Sequence, residues 1–278
     1  MEKKNIVSNR HDFAVIVEVR NSNPNGDSIA DNPARQDPQT GIGLISADCT
    51  RHKIRRAAQI IYPDISLLVD TGSGGGEPAK IVDGAGEMSV IDYVREKYWD
   101  ARTFGAGFSN CEKSIKGAVQ IGIGHSVSPV EINQVSMTRK AIATTEKFSD
   151  DGANTMFGNK QNVAYGVYVI HGNVNPLLAE KAGFTEDDME VFFQCLIHMY
   201  DFDKAAGRCE VNVRRLIDFV HSDPCPNQRP QELYDALRIE PVPEVQDGIR
   251  PPRCFDDYTI TIDAEKVRTE KIIIRKLV

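Results

Sequence analysis

The sequence predicts an α+β fold of the ferredoxin-like type, and two observations carry the prediction. With its polar and irregular stretches set aside, the chain reads strand, helix, strand, strand, helix, strand, the β-α-β-β-α-β order of that fold. Its 278 residues suffice for one large domain, 1–278, with sizeable insertions. RNA-recognition modules share this sheet layout, but the fold hosts many unrelated activities, so element order alone assigns no function.

The elements follow from local pattern. Phe13, Val15, Val17 and Val19 alternate with Ala14, Ile16, Glu18 and Arg20, the signal of a strand with one face in the core. Asn21-Ser-Asn-Pro-Asn-Gly-Asp27 is a dense turn signal and opens a polar loop reaching about Gly43. The spacing of Ile54, Ala57, Ala58 and Ile61 predicts a helix from Ser46 to Tyr62, capped by the Ser46 hydroxyl and stopped by Pro63. Arg51, His52, Lys53, Arg55 and Arg56 cover the rest of that helix. Residues 64–111 are irregular, hold the glycine run 72–76 and a helix near Val90 to Tyr98, and read as an insertion. Gly117 to Gly124 alternates with Val119, Ile121 and Ile123 on one face. Residues 137–160 are polar and charged, the composition of a projecting arm or hairpin. A third strand spans Val163 to Gly172. A second helix spans Thr185 to Asp203, capped by Thr185, with Glu186, Asp187 and Asp188 at the positive end of its dipole. A fourth strand covers Val211 to Val220, and the tail is β-rich at Tyr258 to Ile262 and Ile272 to Val278.

Composition narrows the function classes. A net charge of -7 argues against a generic, histone-like nucleic-acid binder, although local clusters rather than net charge set a contact surface. No apolar run approaches the roughly 20 residues that span a bilayer, and the polar start lacks a signal-peptide core, so a cytoplasmic protein without membrane contact is expected. Cys49, Cys111, Cys195, Cys209, Cys225 and Cys254 are scattered, without the close pairs of a zinc site, and read as reduced thiols. His11, His52, His125, His171, His198 and His221 form no metal-ligand spacing, and the glycine run lacks the Lys-Ser/Thr of a phosphate-binding loop. No catalytic residue, metal or cofactor is expected. A metal-assisted RNase is the alternative, with Asp27, Asp31 and Asp37 as ligands; a loop aspartate otherwise forms a turn.

The basic helix is the leading candidate for binding. Arg51 and Arg55 lie one turn apart, with His52 and Arg56 beside them, and such a row can follow a polynucleotide backbone. On charge alone it reads more readily as a solvated surface. Its place just after the loop that leaves the sheet at Arg20 favours a shared groove. Asn21 to Asp27 offers amides and an open glycine for phosphate or ribose, or is a purely structural turn. In the arm, Arg139, Lys140, Lys147, Met156, Phe157 and Lys160 combine cations with apolar tips that can wedge between bases, or pack on the domain or a neighbouring protein.

Several segments, in order, resemble the repeated backbone subunit of type I CRISPR Cascade complexes, most closely the type I-C form. They are Asn21 to Asp27, Ile45 to Arg55 (Ile-Ser-Ala-Asp-Cys-Thr-Arg-His-Lys-Ile-Arg), and Asp100-Ala-Arg-Thr-Phe-Gly-Ala106, similar to a D-x-R-x-F-G segment. Gly117-Ala-Val-Gln120 stands where that family usually reads Gly-Pro-Val-Gln; Met137-Thr-Arg139, Ala164-Tyr-Gly-Val-Tyr168 and His171-Gly172 also fit. The sequence departs from the pattern at His125-Ser126, at Phe157-Gly-Asn-Lys160, which carries one cation fewer, and at His52, where a strong cation is common. The resemblance implies a hand-shaped, non-catalytic subunit: an RRM-like palm, a fingers or web insertion at 64–111 and a thumb at 137–160. Copies would stack head to tail along crRNA and present it for pairing with target DNA, beside a guide-end cap subunit, a large subunit and a small subunit. The residues assigned to RNA on this basis are Arg20, Asn21, Asn25, Arg51, Lys53, Arg55, Arg56, Arg139, Lys140, Met156, Phe157 and Lys160.

Overall fold

The computed structural model describes residues 5–26, 33–69, 84–107, 114–139 and 156–278. Its first half holds strands β1 (His11–Ser22) and β2 (Ile42–Ile45), then helices α1 (Ala47–Ile61), α2 (Val90–Lys97) and α3 (Trp99–Phe104). Next come β3 (Gly105–Ala106), β4 (Ile115–Lys116), β5 (Val119–Ile121), β6 (Gly124–Pro129), β7 (Ile132–Arg139) and the long β8 (Met156–Val174). The second half continues with α4 (Pro176–Ala182), α5 (Glu186–Ile197), β9 (Val211–His221), α6 (Pro230–Ala236), β10 (Leu237–Pro241), α7 (Pro243–Gln246), β11 (Tyr258–Ile262) and β12 (Ile272–Lys276). It is a mixed fold of helices and antiparallel sheet. The main sheet runs β12-β9-β1-β8-β6-β2, and β5 and β7 also pair with β8.

β1 is central, and both of its faces are buried, which corrects the expectation of one solvated face. Phe13, Val15, Val17 and Val19 pack beneath α1 and α5, against Ile54, Ala57, Ala58, Phe192 and Phe193. Ala14 and Ile16 face a second core with Tyr165, Val167 and Ile217 of the same sheet, covered by Phe255 and by Leu233 of α6, Leu237 of β10 and Tyr258 of β11. The C-terminal segment therefore covers the face that a bare RNA-recognition sheet would offer to bases.

Helix ends follow their capping chemistry. Ser46 Oγ accepts from the Cys49 amide, and α1 closes at Tyr62, whose position before Pro63 disfavours further helix. Thr185 and Asp188 form a reciprocal capping box at the start of α5, which ends at Ile197 rather than Asp203. α4 was not expected, although Asn175 as cap, Pro176 at the first turn and Gly183 in the left-handed region (φ 74°) are its full set of signals. The strand expected over Gly117 to Gly124 divides into β5 and β6, and Ile123 between them is 54% exposed rather than aligned with Val119 and Ile121. In the arm, β7 and β8 form an antiparallel ladder from Ile132↔Val163 to Arg139↔Met156.

Candidate nucleic-acid interface

The cations of α1 do not form one solvent-facing row. They diverge to three destinations. Lys53 is only 6% exposed and its ammonium meets Asp203 in the α5–β9 connection. Arg55 is largely buried on the other side, its Nε 2.8 Å from Asp100 Oδ2 and its guanidinium 5.0 Å from the centre of the Phe104 ring. Arg56 remains half exposed, 3.8 Å from Asp203. Arg51, one turn into the helix, is 3.3 Å from Asp48 and keeps part of its surface in solvent. Partial burial and then the neighbouring Lys53 push the pKa of His52 down, which disfavours its charged form. Lys53 and Arg55 thus hold the helix to its neighbours, whereas Arg51 and Arg56 present charge outward.

The D-x-R-x-F-G segment explains the Arg55 contact. Asp100 is 1% exposed and also accepts from the Leu68 and Val69 amides, at 2.6 and 3.2 Å. Arg102 grips Asp188, the capping residue of α5, through two hydrogen bonds of 2.9 and 2.7 Å. Phe104 packs edge-on to Trp99 and Phe192. Gly105 has φ 95° and lies against the Ile115 carbonyl, where no side chain fits. The motif locks α3, α1 and α5 together; in this arrangement it is architecture.

The solvent-facing charge collects where the ends of β1 and β9 meet the segment 198–210. Arg20 makes a two-pronged contact with Glu210, at 2.8 and 3.0 Å, on the surface. Asn21 adopts φ 45°, a conformation asparagine tolerates, and its carbonyl accepts from Asn162 Nδ2 at 3.1 Å. The Asn23 amide donates to the Gly207 carbonyl at 2.7 Å. Asn25 is committed locally: its Oδ1 accepts from the Ser46 amide at 2.7 Å and so ties the loop to the start of α1. Lys160 reaches the same rim, its side chain beside Gly207. Asp203, 4% exposed, collects Lys53, Arg56 and Arg208, the last at 3.1 Å, and three cations on one carboxylate leave surplus positive charge. Arg208 and Lys204 were not singled out from the sequence; the pattern Asp203-Lys-Ala-Ala-Gly-Arg208, a charged glycine-containing turn after a helix, is the signal that marks them.

The fold thus brings Arg20, Asn21, Arg56 and Lys160 to one rim, with Arg51 further along α1. Arg139, Met156 and Phe157 lie in the β7–β8 ladder. Lys140, Lys147, Asp27, Asp31 and Cys111 lie outside the described residues. Asp37 forms a turn, accepting from the Thr40 hydroxyl at 2.6 Å and the Gln39 amide at 3.0 Å, and these bonds lower its pKa.

A curated relative from Haloferax volcanii, described as CRISPR-associated protein Cas7, is 24% identical over 210 residues, covering 66% of this chain. The chain spans 61% of that relative's length. Among solved structures, a chain described as "CRISPR RNA-guided surveillance complex, pre-nicking" superposes with a TM-score of 0.54 at 11% identity, covering 79% of this chain and 80% of its own, a likeness of fold. A second surveillance-complex chain gives 0.45 at 14% identity, covering 79% and 72%. A chain from a type III-B Cmr-beta complex bound to cognate target RNA gives 0.43 at 10%, covering 75% and 60%. The family model described as "CRISPR-associated protein Cas7" matches residues 9–263, nearly the whole of the sheet, both of its faces and the cationic rim, and on that match the chain belongs to the Cas7 family.

Proposed function

We propose that this chain is a non-catalytic, crRNA-binding backbone subunit of a type I CRISPR surveillance complex similar to the type I-C form. It assembles head to tail along the guide, with residues 64–111 as fingers and 137–160 as thumb, and leaves the guide bases to pair with target DNA. A guide-end cap subunit, a large subunit and a small subunit complete the cytoplasmic complex. Among the described residues no helix is long and apolar enough to cross a membrane.

The observation that carries this reading is the cationic rim. In a chain of net charge -7, Arg56, Arg208, Arg20 and Lys160 converge beside the Asn21–Gly26 loop. Phosphates release counterions only to cations that reach solvent, so surplus positive charge held on an acidic molecule is the expected footprint of a polyanion site.

The test is the 260/280 nm absorbance ratio of the purified protein across a size-exclusion profile, before and after RNase, with synthetic guide RNA added to any nucleic-acid-free fraction. A large, RNA-rich peak that collapses on RNase treatment, or one that forms on adding guide, supports the reading. Failure to bind guide RNA under both conditions overturns it. Cleavage of complementary RNA at regular intervals in the presence of magnesium would overturn its non-catalytic part.

A further inference from the structure

We infer that Arg214 and Arg215 form a second phosphate-binding site, which extends the cationic rim from β1 onto the sheet face opposite α1 and contacts single-stranded nucleic acid there. This rests on the RNA-binding reading above.

Consecutive residues of a regular strand point to opposite faces. β9 departs from that rule at one place. Its register on β1 pairs Ile16 with Arg215 but Val17 with Val213, so Arg214 is the extra residue of a β-bulge. A bulge re-aims a side chain. Val213 and Leu216 still face the core beneath α1 and α5. Arg215, opposite Ile16, faces the other side, and the bulge turns Arg214 the same way. Both guanidiniums lie over the Phe255 ring, 4.6 Å away for Arg214 and 5.5 Å for Arg215. Arg214 also reaches Glu18 at 3.3 Å. Arg215 is exposed, donates to the Arg214 carbonyl at 2.7 Å, and has no carboxylate partner among the described residues.

Two like charges over one ring repel each other, and Glu18 neutralises only one of them. An anion set between the two forks relieves that repulsion, and planar guanidiniums match phosphate oxygens. The neighbourhood extends the path. Arg20 lies on the same face of β1 as Glu18, and Lys204 donates to Asn212, which pairs with Glu18. Arg20, Lys204, Arg214 and Arg215 thus stand against the carboxylates of Glu18 and Glu210. The line runs on from Arg56 and Arg208, on the α1 side, around the end of the sheet. A continuous cationic line of this kind fits a phosphodiester chain better than the single carboxylate of a protein partner.

The experiment is fluorescence anisotropy of the full chain with a labelled single-stranded RNA across a salt series. Arg215→Ala is expected to weaken binding about fivefold at ~0.1 M salt and to reduce the slope of log K against log salt by about 0.7. Arg215→Lys keeps the slope, and Arg238→Ala, on β10, changes neither. Thermal melts of Arg215→Ala and Arg215→Gln check that the bulge survives; either variant, if folded, carries the test. RNA affinity and slope unchanged in a folded variant, while Arg56→Ala weakens binding, would overturn this site and leave the wider reading standing. Unchanged RNA binding with impaired assembly would also overturn it and assign the pair to a protein carboxylate. No RNA binding by the wild-type chain would overturn both.

Discussion

At the scale of single residues, two arginines one position apart on α1 have opposite fates. Arg55 and Asp100 form a largely buried ion pair, so Arg55→Ala leaves the Asp100 carboxylate with only its two amide donors and is expected to destabilise the fold by ~3 kcal/mol in urea denaturation. Arg56 is half exposed beside an already crowded Asp203, and its removal costs little stability. The double variant Arg51→Ala with Arg56→Ala is therefore the clean probe of RNA binding. It should weaken guide affinity without regard to sequence and lower the salt slope by about 0.7 for each phosphate no longer neutralised, with the melting temperature nearly unchanged. The cations were readable from the sequence because charge is a property of the residue. Their partners were not, since Asp100 and Asp203 lie far along the chain and reach α1 only through the fold.

At the scale of elements, the capped helices were legible because capping is local. The Ser46 cap and the Pro63 stop bracket α1 as expected, and the Thr185 cap starts α5 where its acidic turn begins. The division between β5 and β6 was not legible, because it depends on the Gly122 amide reaching the His171 carbonyl on β8. Close packing at the sheet gives a test. A Cβ on Gly117 would meet backbone atoms of Phe104 and Gly105 at 2.3 Å, so Gly117→Ala is expected to cost more than ~2 kcal/mol of stability and to loosen α3. Histidines supply a second test. Burial and then Lys53 lower the pKa of His52; burial and then His125 lower that of His171. The unfolded chain then binds protons more readily than the folded one. The stability these groups contribute is present above their ordinary pKa of about 6.5 and is lost as pH falls through it. The urea midpoint should fall from about pH 7 to about pH 5, and His171→Phe, which preserves the ring stacked on Tyr234, should flatten part of that slope.

At the scale of the whole molecule, the arrangement that matters is a sheet closed on both faces, with charge around its end. Such a molecule cannot bind RNA across an open sheet, so the rim and the Arg214–Arg215 bulge beside it are the surfaces that remain. If copies polymerise on the guide, sedimentation velocity with synthetic RNAs of increasing length should show complexes growing in steps; one copy per RNA at every length would leave a lone binder. The mixed helix-and-strand character, the caps at Ser46 and Thr185, the acidic balance and the family resemblance rest on residue identity and local pattern, and so the sequence determined them. Three features depended on tertiary structure. The C-terminal segment covers the second face, Lys53 and Arg55 are neutralised by distant carboxylates, and a bulge in β9 turns Arg214 and Arg215 to one side. Each arises from contact between residues distant in sequence or from strand register, and periodicity carries no information about either.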